Sequence, residues 1–367
     1  MASSSRRRIP RVRGVKNSFK AMPKVSVVIL NWNGKKFLDV SLSSLHKVTY
    51  ASLEVIVVDN HSSDGSVSYI RRKFPWVRLI ALSHNAGFAG GNNIGFKKST
   101  GKYVLFLNND TKVTPKFLEP LVAQMEKDPT IGCIQPQMRM MANDALQDEA
   151  GGYLTHCGFL YHYGYKKKHA LKPYRNRREV FSIKGACMIL PRLVFERIGM
   201  FDEDFFIFFE ETDVCHRIWL SGFRVIYDPV TYISHVVGGD TTNKYSYQRR
   251  IYLTFKNMTC SYLKNFGFLN MFTIYPLFLL IQAGLVGSFV VKLRGDLLWA
   301  VVRAYGWNIR NIGSTLKKRK DIQATRKISD RELNKRVLYD PDWNYYSHSL
   351  QDTADTYIDM PIRTAAL

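Results

Sequence analysis

The sequence predicts an α/β fold: a mostly parallel sheet with helices on both faces, followed by C-terminal membrane-associated helices. Three observations carry this. Four short apolar runs (Lys24–Leu30, Leu53–Asp59, Val77–Leu82 and Tyr103–Asn108) each end abruptly in polar residues. Helical patterns separate the early runs, and strands alternating with helices build parallel sheets. Residues 265–291 then contain no charged side chain.

Lys24–Leu30 reads as the first buried strand and runs into Asn31-Trp-Asn-Gly34, with a helix over Lys35–His46. Leu53–Asp59 is the second, opening into Asn60-His-Ser-Ser-Asp-Gly65 before a helix over Ser66–Lys73. Val77–Leu82 is the third, and the glycine-rich stretch Asn85–Asn93 follows it. Tyr103–Asn108 is the fourth and ends in Asn108, Asn109 and Asp110. Asn and Asp favour turns in any context, so one such ending says little. Four of them at the carboxyl ends of strands point to a ligand crevice, the place where open α/β sheets bind ligands. Asp110, flanked by amides, is a natural ligand for a hard cation that also holds phosphate oxygens. Gly87, Gly90 and Gly91 lack strict G-x-G-x-x-G spacing, a weak nucleotide signal. Either they let a helix pack closely on the sheet, or Asn85, Asn92 and Asn93 add donors that meet a ribose or pyrophosphate.

Pro115–Lys127 is read as a helix with Pro at its start, and Gly132–Met138 as a strand. Residues 150–182, rich in Tyr and Lys, read as hairpins and a loop. Lys184–Leu190 returns to a buried strand, and Pro191–Ile198 is a short helix. Phe201–Asp213 then crowds phenylalanines among carboxylates, including Glu210, Glu211 and Asp213. Burial beside aromatic rings raises a carboxyl pKa and suits a general base. Acids also suit the N-terminus of a helix, and Val214–Leu220 reads as that helix. Arg224–Tyr227 and Thr231–His235 supply two further strands, leaving His235 at a strand end as a structural residue or a ligand.

The chain has 367 residues and a formal net charge of +23. Residues 1–24 hold eight basic and no acidic side chains and no apolar core, so they are no secretory signal. Residues 292–337 hold 13 basic and 4 acidic side chains, and a further basic cluster spans Lys166–Arg178. Such patches attract nucleic acid or an anionic membrane surface. A nucleic-acid-binding protein would need an aromatic platform or binding motif among them. The arms at 1–24 and 314–336 have few aromatics, so nucleic acid is set aside as a partner. Five scattered cysteines with no Cys-x-x-Cys imply neither a disulfide framework nor a zinc site, and a reducing compartment fits.

Taken in order, these segments resemble the family 2 glycosyltransferases of the GT-A (Rossmann-like) fold, especially their rhamnosyltransferase-like branch. The matching stretches are Val27–Gly34, Val58–Ser66, Asn85–Asn93, Leu107–Asp110, Gly199–Phe206 and Phe209–Val214, within residues 24–240. The resemblance implies an inverting, metal-dependent transfer in cell-surface polysaccharide biosynthesis. A sugar would move from a dTDP-, UDP- or GDP-sugar to a hydroxyl of a glycan or lipid-linked acceptor. Asp59 would accept the imide N–H of the donor base, and Asn31 and Asn85 would line the nucleotide pocket. With Gly87, Asn92 and Asn108 they complete the nucleotide-binding set. Asp110 would hold Mg²⁺ or Mn²⁺ on the diphosphate, and His235 would complete the metal or phosphate site. Glu211 falls at the catalytic base, with Glu210 and Asp213 as alternative carboxylates. Two departures stand out: Asn108 replaces the first Asp of the Asp-x-Asp motif, and the base is Glu rather than Asp. They leave a nucleotide-sugar-binding pseudoenzyme as the alternative.

Residues 265–291 exceed the roughly 20 apolar residues that span a bilayer, but Asn270, Pro276 and Gln282 interrupt them. Leu297–Ile312 places Leu298, Val301, Val302, Tyr305, Ile309 and Ile312 on one helical face with Arg303 and Arg310 off it, an interfacial pattern. The other reading is a soluble helical hairpin covering the sheet. A single span would put the basic flank 292–337 across the membrane from the catalytic domain, against the positive-inside rule. Arg249, Arg250, Lys256 and Lys264 make the preceding flank basic as well. Residues 265–312 are therefore expected to lie in the cytosolic leaflet without crossing, giving a peripheral or monotopic protein at the cytoplasmic face. The expected organisation is a basic disordered arm (1–23), a catalytic domain (24–250), a membrane-associated helical region (251–315) and a charged tail (316–367).

Overall fold

The computed structural model describes residues 22–237 and 244–341. Nearly all of the basic arm, and the tail beyond 341, lie outside the described residues. The elements are β1 (Val25–Asn31), α1 (Lys35–Leu45), β2 (Leu53–Asp59), α2 (Ser66–Lys73), β3 (Arg78–Ala81), α3 (Gly87–Lys98), β4 (Tyr103–Asn108) and β5 (Thr111–Val113). There follow α4 (Leu118–Lys127), β6 (Ile131–Met140), β7 (Asn143–Gln147), β8 (Gly152–Leu154), β9 (Leu160–His162), β10 (Arg178–Glu179), β11 (Cys187–Pro191), α5 (Arg192–Arg197), α6 (Glu210–Leu220) and β12 (Arg224–His235). Five helices close the described chain: α7 (Tyr247–Asn265), α8 (Phe268–Val291), α9 (Gly295–Arg310), α10 (Ile312–Ala324) and α11 (Asp330–Val337).

The main sheet runs β3-β2-β1-β4-β11-β6-β12-β10. Its first four strands are all parallel, as the alternation of strands and helices requires. β11 runs antiparallel to both β4 and β6, while β12 is parallel to β6. The pleat sends alternate residues to opposite faces. Val25, Val27 and Ile29 of β1 join Leu38 and Leu42 of α1 in one core, whereas Val28 joins Phe96 of α3 and Phe106 of β4 in the other. Register then aligns the strand ends: Asn31 pairs with Asp59, and Leu30 with Asn108.

Several elements differ from the sequence reading. β5 and β7 are unexpected, and the helix expected over Leu297–Ile312 breaks at Asn311, with Val301 of its apolar face buried against protein. Three further differences have tertiary causes. The glycine-rich stretch is largely the helix α3. A Cβ at Gly91 would lie 2.3 Å from Leu30 Cδ1, and one at Gly95 would lie 2.4 Å from Val28 Cγ1. These glycines therefore bring the helix close to β1, compensating for their poor helix propensity. α6 starts at Glu210, four residues earlier than expected, because Phe209 takes a left-handed conformation and turns the chain into it. The two expected short strands near 224–235 are one strand, β12, with a register shift between Asp228 and Tyr232.

The C-terminal helices dock on α6 through buried charge. Asp213 Oδ1 accepts from Ser261 Oγ and Asn265 Nδ2 of α7, both at 2.8 Å, and Lys264 Nζ lies 3.1 Å away. Its other oxygen accepts from Arg217 Nε at 2.9 Å. Burial alone would raise the Asp213 carboxyl, but Lys264 and Arg217 outweigh it and hold it below the ordinary range. Residues 316–341 of the charged tail contribute helix α11 and most of α10, and Lys318 reaches Asp202 at 2.5 Å.

α8 is the one described helix long and apolar enough to cross a bilayer. Its buried positions are Asn270, Ile274, Phe278, Gln282 and Phe289. The polar residues that interrupt the apolar stretch therefore face protein: Asn270 bonds Asn334 of α11, and Gln282 accepts from Tyr305 of α9. Phe268, Phe272, Leu280 and Val291 are exposed.

Removing the buried Asp213 carboxylate should be costly, since Arg217 would be left with the Ile198 and Met200 carbonyls and Lys264 with Asp202 alone. Asp213→Ala is expected to lose about 3–5 kcal/mol of stability in urea unfolding. A loss under about 1 kcal/mol would mean that the helices are held by apolar contacts alone.

Candidate functional site

The carboxyl ends of β1, β2 and β4 open on a cleft of about 450 Å³. Its floor is a layer of amides and one carboxylate. Asn31 Nδ2 donates to Asp59 Oδ2 at 2.9 Å, and Ser62 N donates to Asp59 Oδ1 at 2.9 Å. Asn109 Nδ2 donates to Asn31 Oδ1 at 2.8 Å. Gly34 makes this layer possible, because a Cβ there would lie 2.0 Å from Asn109 Nδ2. Asn31 and Asp59 thus sit one layer behind the cleft surface. Asn60 and Asn85 form the wall in front, joined by a 2.9 Å bond from Asn60 Nδ2 to Asn85 Oδ1.

Past Asn85, the side-chain amides of the glycine-rich stretch bond within the protein. The Phe206 carbonyl accepts from Phe88 N and Ala89 N at the start of α3. Asn92 Nδ2 donates to Phe88 O, and Asn93 Nδ2 to Phe201 O. Gly87 lines the cleft and has φ of +73°, and a Cβ there would meet the Phe206 ring at 2.5 Å. Gly87 therefore admits the aromatic loop against α3.

Beside this wall lies a chain of buried charges. The short β5 pairs antiparallel with the end of β12, matching His235 to Thr111. That register sets His235 Nε2 3.3 Å from Asp110 Oδ1. Asp110 Oδ1 is buried and has no hydrogen-bond partner. On its far side His235 Nδ1 bonds Asp148 Oδ2 at 2.8 Å, and Asp148 Oδ1 accepts from Lys184 Nζ at 2.5 Å. Burial alone would lower the His235 pKa, but Asp110 and Asp148 outweigh it and raise it to about 9. Asp148, though fully buried, is held well below the carboxylate range, chiefly by Lys184 and then by His235. Asn108 lines the same region, its backbone N–H donating to Ala186 O at 2.9 Å.

The opposite wall is the aromatic loop. Phe206, Phe208 and Phe209 have φ of 64°, 72° and 70°, strained values for residues with side chains. Asn257 of α7 holds them there: its Nδ2 donates to the carbonyls of Phe205, Ile207 and Phe208 at 3.0, 2.9 and 2.7 Å. The loop delivers Glu210 and Glu211 into the first turn of α6, and both line the cleft. One oxygen of each, Oε2, is buried without a hydrogen-bond partner. Burial raises both carboxyls, and for Glu210 the Glu211 charge adds to the rise.

Of the residues singled out from sequence, Asn85, Gly87, Asn108, Asp110, Glu210, Glu211 and His235 meet in this cleft. Asn31 and Asp59 support it from behind, and Asn92 bonds within α3. Asp213 points the other way, into the C-terminal helices, where its charge is fully used. The sequence reading missed Trp32, Asn60, Asp148, His162, Tyr165 and Lys184. Trp32 and Asn60 had a local signal, directly after Asn31 and Asp59 at strand ends.

Residues 26–199 match the model of the family described as glycosyl transferase family 2. The chain is 28% identical over 230 residues to the O-antigen biosynthesis protein RfbC of Myxococcus xanthus, covering 60% of this chain but only 18% of that protein. It is 27% identical over 242 residues to the low-salt glycan biosynthesis hexosyltransferase Agl10 of Haloferax volcanii, covering 64% of this chain and 73% of that one. It is 23% identical over 234 residues to the N-acetylglucosaminyl-diphospho-decaprenol L-rhamnosyltransferase of Mycobacterium tuberculosis, covering 57% and 75%. In fold it is similar to GalNAc-T7, crystallised with UDP, GalNAc and Mn²⁺, with a TM-score of 0.54, 21% identity, and coverage of 67% of this chain and 48% of that one. The amide floor, the Asp110 strand end and the parallel half-sheet all fall within the matched residues, and the chain carries a family 2 glycosyltransferase domain of GT-A fold.

Proposed function

We propose that this protein transfers a sugar, with inversion, from a nucleoside-diphosphate donor to a hydroxyl of a glycan or lipid-linked acceptor. The observation that carries the reading is one cleft holding both an orphaned Asp110 oxygen beside His235 and a pair of desolvated glutamates. Asp110 and His235 fit a divalent cation, because the buried Asp110 oxygen meets only the His235 ring nitrogen, at 3.3 Å, and a carboxylate with a deprotonated imidazole beside it is a pair of metal ligands. Among the described residues no three His, Cys, Asp or Glu side chains cluster closely enough to hold a metal alone. The remaining positions would be left to diphosphate oxygens and water, as hard cations in nucleotide sites commonly have it. Bound Mg²⁺ or Mn²⁺ would supply positive charge at the leaving diphosphate.

The protein's own groups do the rest. Asn85 offers its amide N–H to the nucleoside from the wall, held in place by Asn60, whose own amide is bonded to Asn85, Gly87 and Ala86, with Asp59 and Asn31 fixed behind them. Glu211 accepts the proton of the acceptor hydroxyl as that oxygen bonds to the anomeric carbon and the bond to the diphosphate breaks. A base works best with a pKa near the working pH, and burial moves Glu211 in that direction. Glu210, beside it, is pushed up by burial and by the Glu211 charge, so it is the member of the pair that takes a proton first and leaves Glu211 as the base.

The protein works at the cytoplasmic surface of a membrane, with α8 lying in the plane of the leaflet. Support comes from the contacts along α8, which is about 36 Å long at 1.5 Å per residue. Protein touches it at its start through Asn270, at its middle through Phe278 against Tyr262 and Phe159, and at its end through Phe289. A helix held by its own domain at its start, middle and end stays against that domain and turns only its other face to the lipid. Its outward face is apolar and flanked by Lys292, Arg303 and Arg310, which suits anionic headgroups.

Glu211→Gln keeps the shape and removes the proton acceptor. Turnover is expected to fall at least about 10²-fold with nucleotide affinity intact. If Glu210→Gln is the inactive variant and Glu211→Gln turns over normally, the base is one residue earlier. The membrane face is checked by co-sedimentation with phosphatidylglycerol vesicles. The wild type should pellet, and Phe272→Glu combined with Leu280→Glu should leave at least about tenfold less protein bound. Wild-type protein that stays in the supernatant would contradict the membrane reading.

A further inference from the structure

Asp148 and Glu149 are consecutive, 0% and 3% exposed, and each bonds the Nδ1 of a histidine that lines the cleft. Asp148 takes His235, on the Asp110 side. Glu149 Oε2 lies 2.7 Å from His162 Nδ1, and this second pair has no role in the reading above. It is built rigidly. Glu149 O accepts from Gln135 Nε2 at 3.1 Å, and the next residue, Ala150, donates from its backbone to Tyr163 O at 2.7 Å. His162 ends β9, and the β8–β9 hairpin is braced from behind by Tyr339. The Tyr339 ring stacks on Tyr161 with centroids 5.5 Å apart, and its N–H donates to Leu154 O at 2.9 Å. A carboxylate on Nδ1 holds the proton there and makes Nε2 the accepting nitrogen.

The neighbours define what this wall can take. Tyr165 lines the cleft beside His162, with Lys166 Nζ 5.3 Å and Lys184 Nζ 5.9 Å from its ring centroid. His162, Lys184 and Glu211 line the same cleft. Lys184 is committed to Asp148. The wall therefore presents the carboxyls of Glu210 and Glu211, an aromatic ring and an imidazole backed by the buried Glu149, which disfavours an anion. A neutral polyol matches it: hydroxyls for the imidazole and carboxylates, and a C–H face for the ring.

We propose that Glu149, His162 and Tyr165 form an acceptor subsite beside Glu211 that recognises a neutral sugar ring. His162 Nε2 accepts a hydrogen bond from a hydroxyl adjacent to the one that attacks, and Glu149 is the positioning residue that sets the imidazole. This rests on the glycosyltransferase reading and sharpens it: the reacting end of the acceptor is a sugar, not a phosphate.

The test uses octyl β-D-glucoside, octyl α-D-mannoside and octyl N-acetyl-β-D-glucosaminide, below micelle-forming concentration, as probes. Their binding to the full chain is followed by saturation-transfer NMR with Mn²⁺ and UDP, GDP or dTDP present, and nucleotide affinity is followed separately by calorimetry. The wild type should bind at least one glycoside. His162→Ala should bind it about tenfold more weakly, the loss of one hydrogen bond. His162→Gln, whose amide oxygen can accept, should recover part of the affinity, and nucleotide affinity should stay within twofold in all three proteins. The proposal is overturned if no glycoside binds the wild type, if His162→Ala binds as the wild type does, or if its nucleotide affinity falls in parallel. Glycoside binding without any nucleotide binding would uphold the subsite and overturn the glycosyltransferase reading.

Discussion

The carboxylate of Asp148 has no contact with solvent, and the candidate site is assembled around it. It accepts from His235 at the end of β12 and from Lys184 ahead of β11, and through His235 it reaches Asp110 after β4. A buried charge is tolerated only when it is paired and hydrogen-bonded, so these partners cannot drift apart cheaply. The next residue, Glu149, repeats the device with His162. One turn after β7 thus fixes the orientation of two imidazoles, one on the Asp110 side of the cleft and one on the Glu211 side.

A second constraint links the cleft to the C-terminal helices. Three left-handed phenylalanines cannot hold their conformation unaided, and Asn257 fixes the carbonyls around them from α7. α7 in turn is bonded to Asp213 of α6, the helix that carries Glu210 and Glu211. The helices that present the apolar outer face therefore also set the geometry of the glutamates. A surface that positions α8 at a lipid interface would hold the cleft beside it at a fixed depth and orientation, which suits an acceptor carried on a lipid.

How much of this was legible in the sequence follows from how local each signal is. β1 to β4 and their polar ends were readable because an unbroken β-branched run and an abrupt polar stop are both short-range features. α3 was not, because its glycines oppose helix locally and are explained only by Leu30 and Val28 across the sheet. The start of α6 was hidden for a similar reason: nothing in Phe209 announces a left-handed residue. Asp148, Lys184 and His162 carry no motif, and their meaning arises only when segments far apart in sequence converge. Asn270 and Gln282 were counted as interruptions of an apolar span. Their spacing with Ile274 and Phe278 is a repeat of four residues, so a helical projection places all four on one stripe, the one that faces protein.

The proposed chemistry requires Asp110 to be the protein carboxylate that meets a cation on the donor diphosphate. Anomalous diffraction from crystals of the chain grown with Mn²⁺ and UDP, GDP or dTDP tests this directly. One manganese peak is expected in the cleft, at a direct coordination distance of roughly 2 Å from the Asp110 carboxylate, with His235 beside it. A nucleoside diphosphate seated in the cleft with manganese absent, or held away from Asp110, would contradict it.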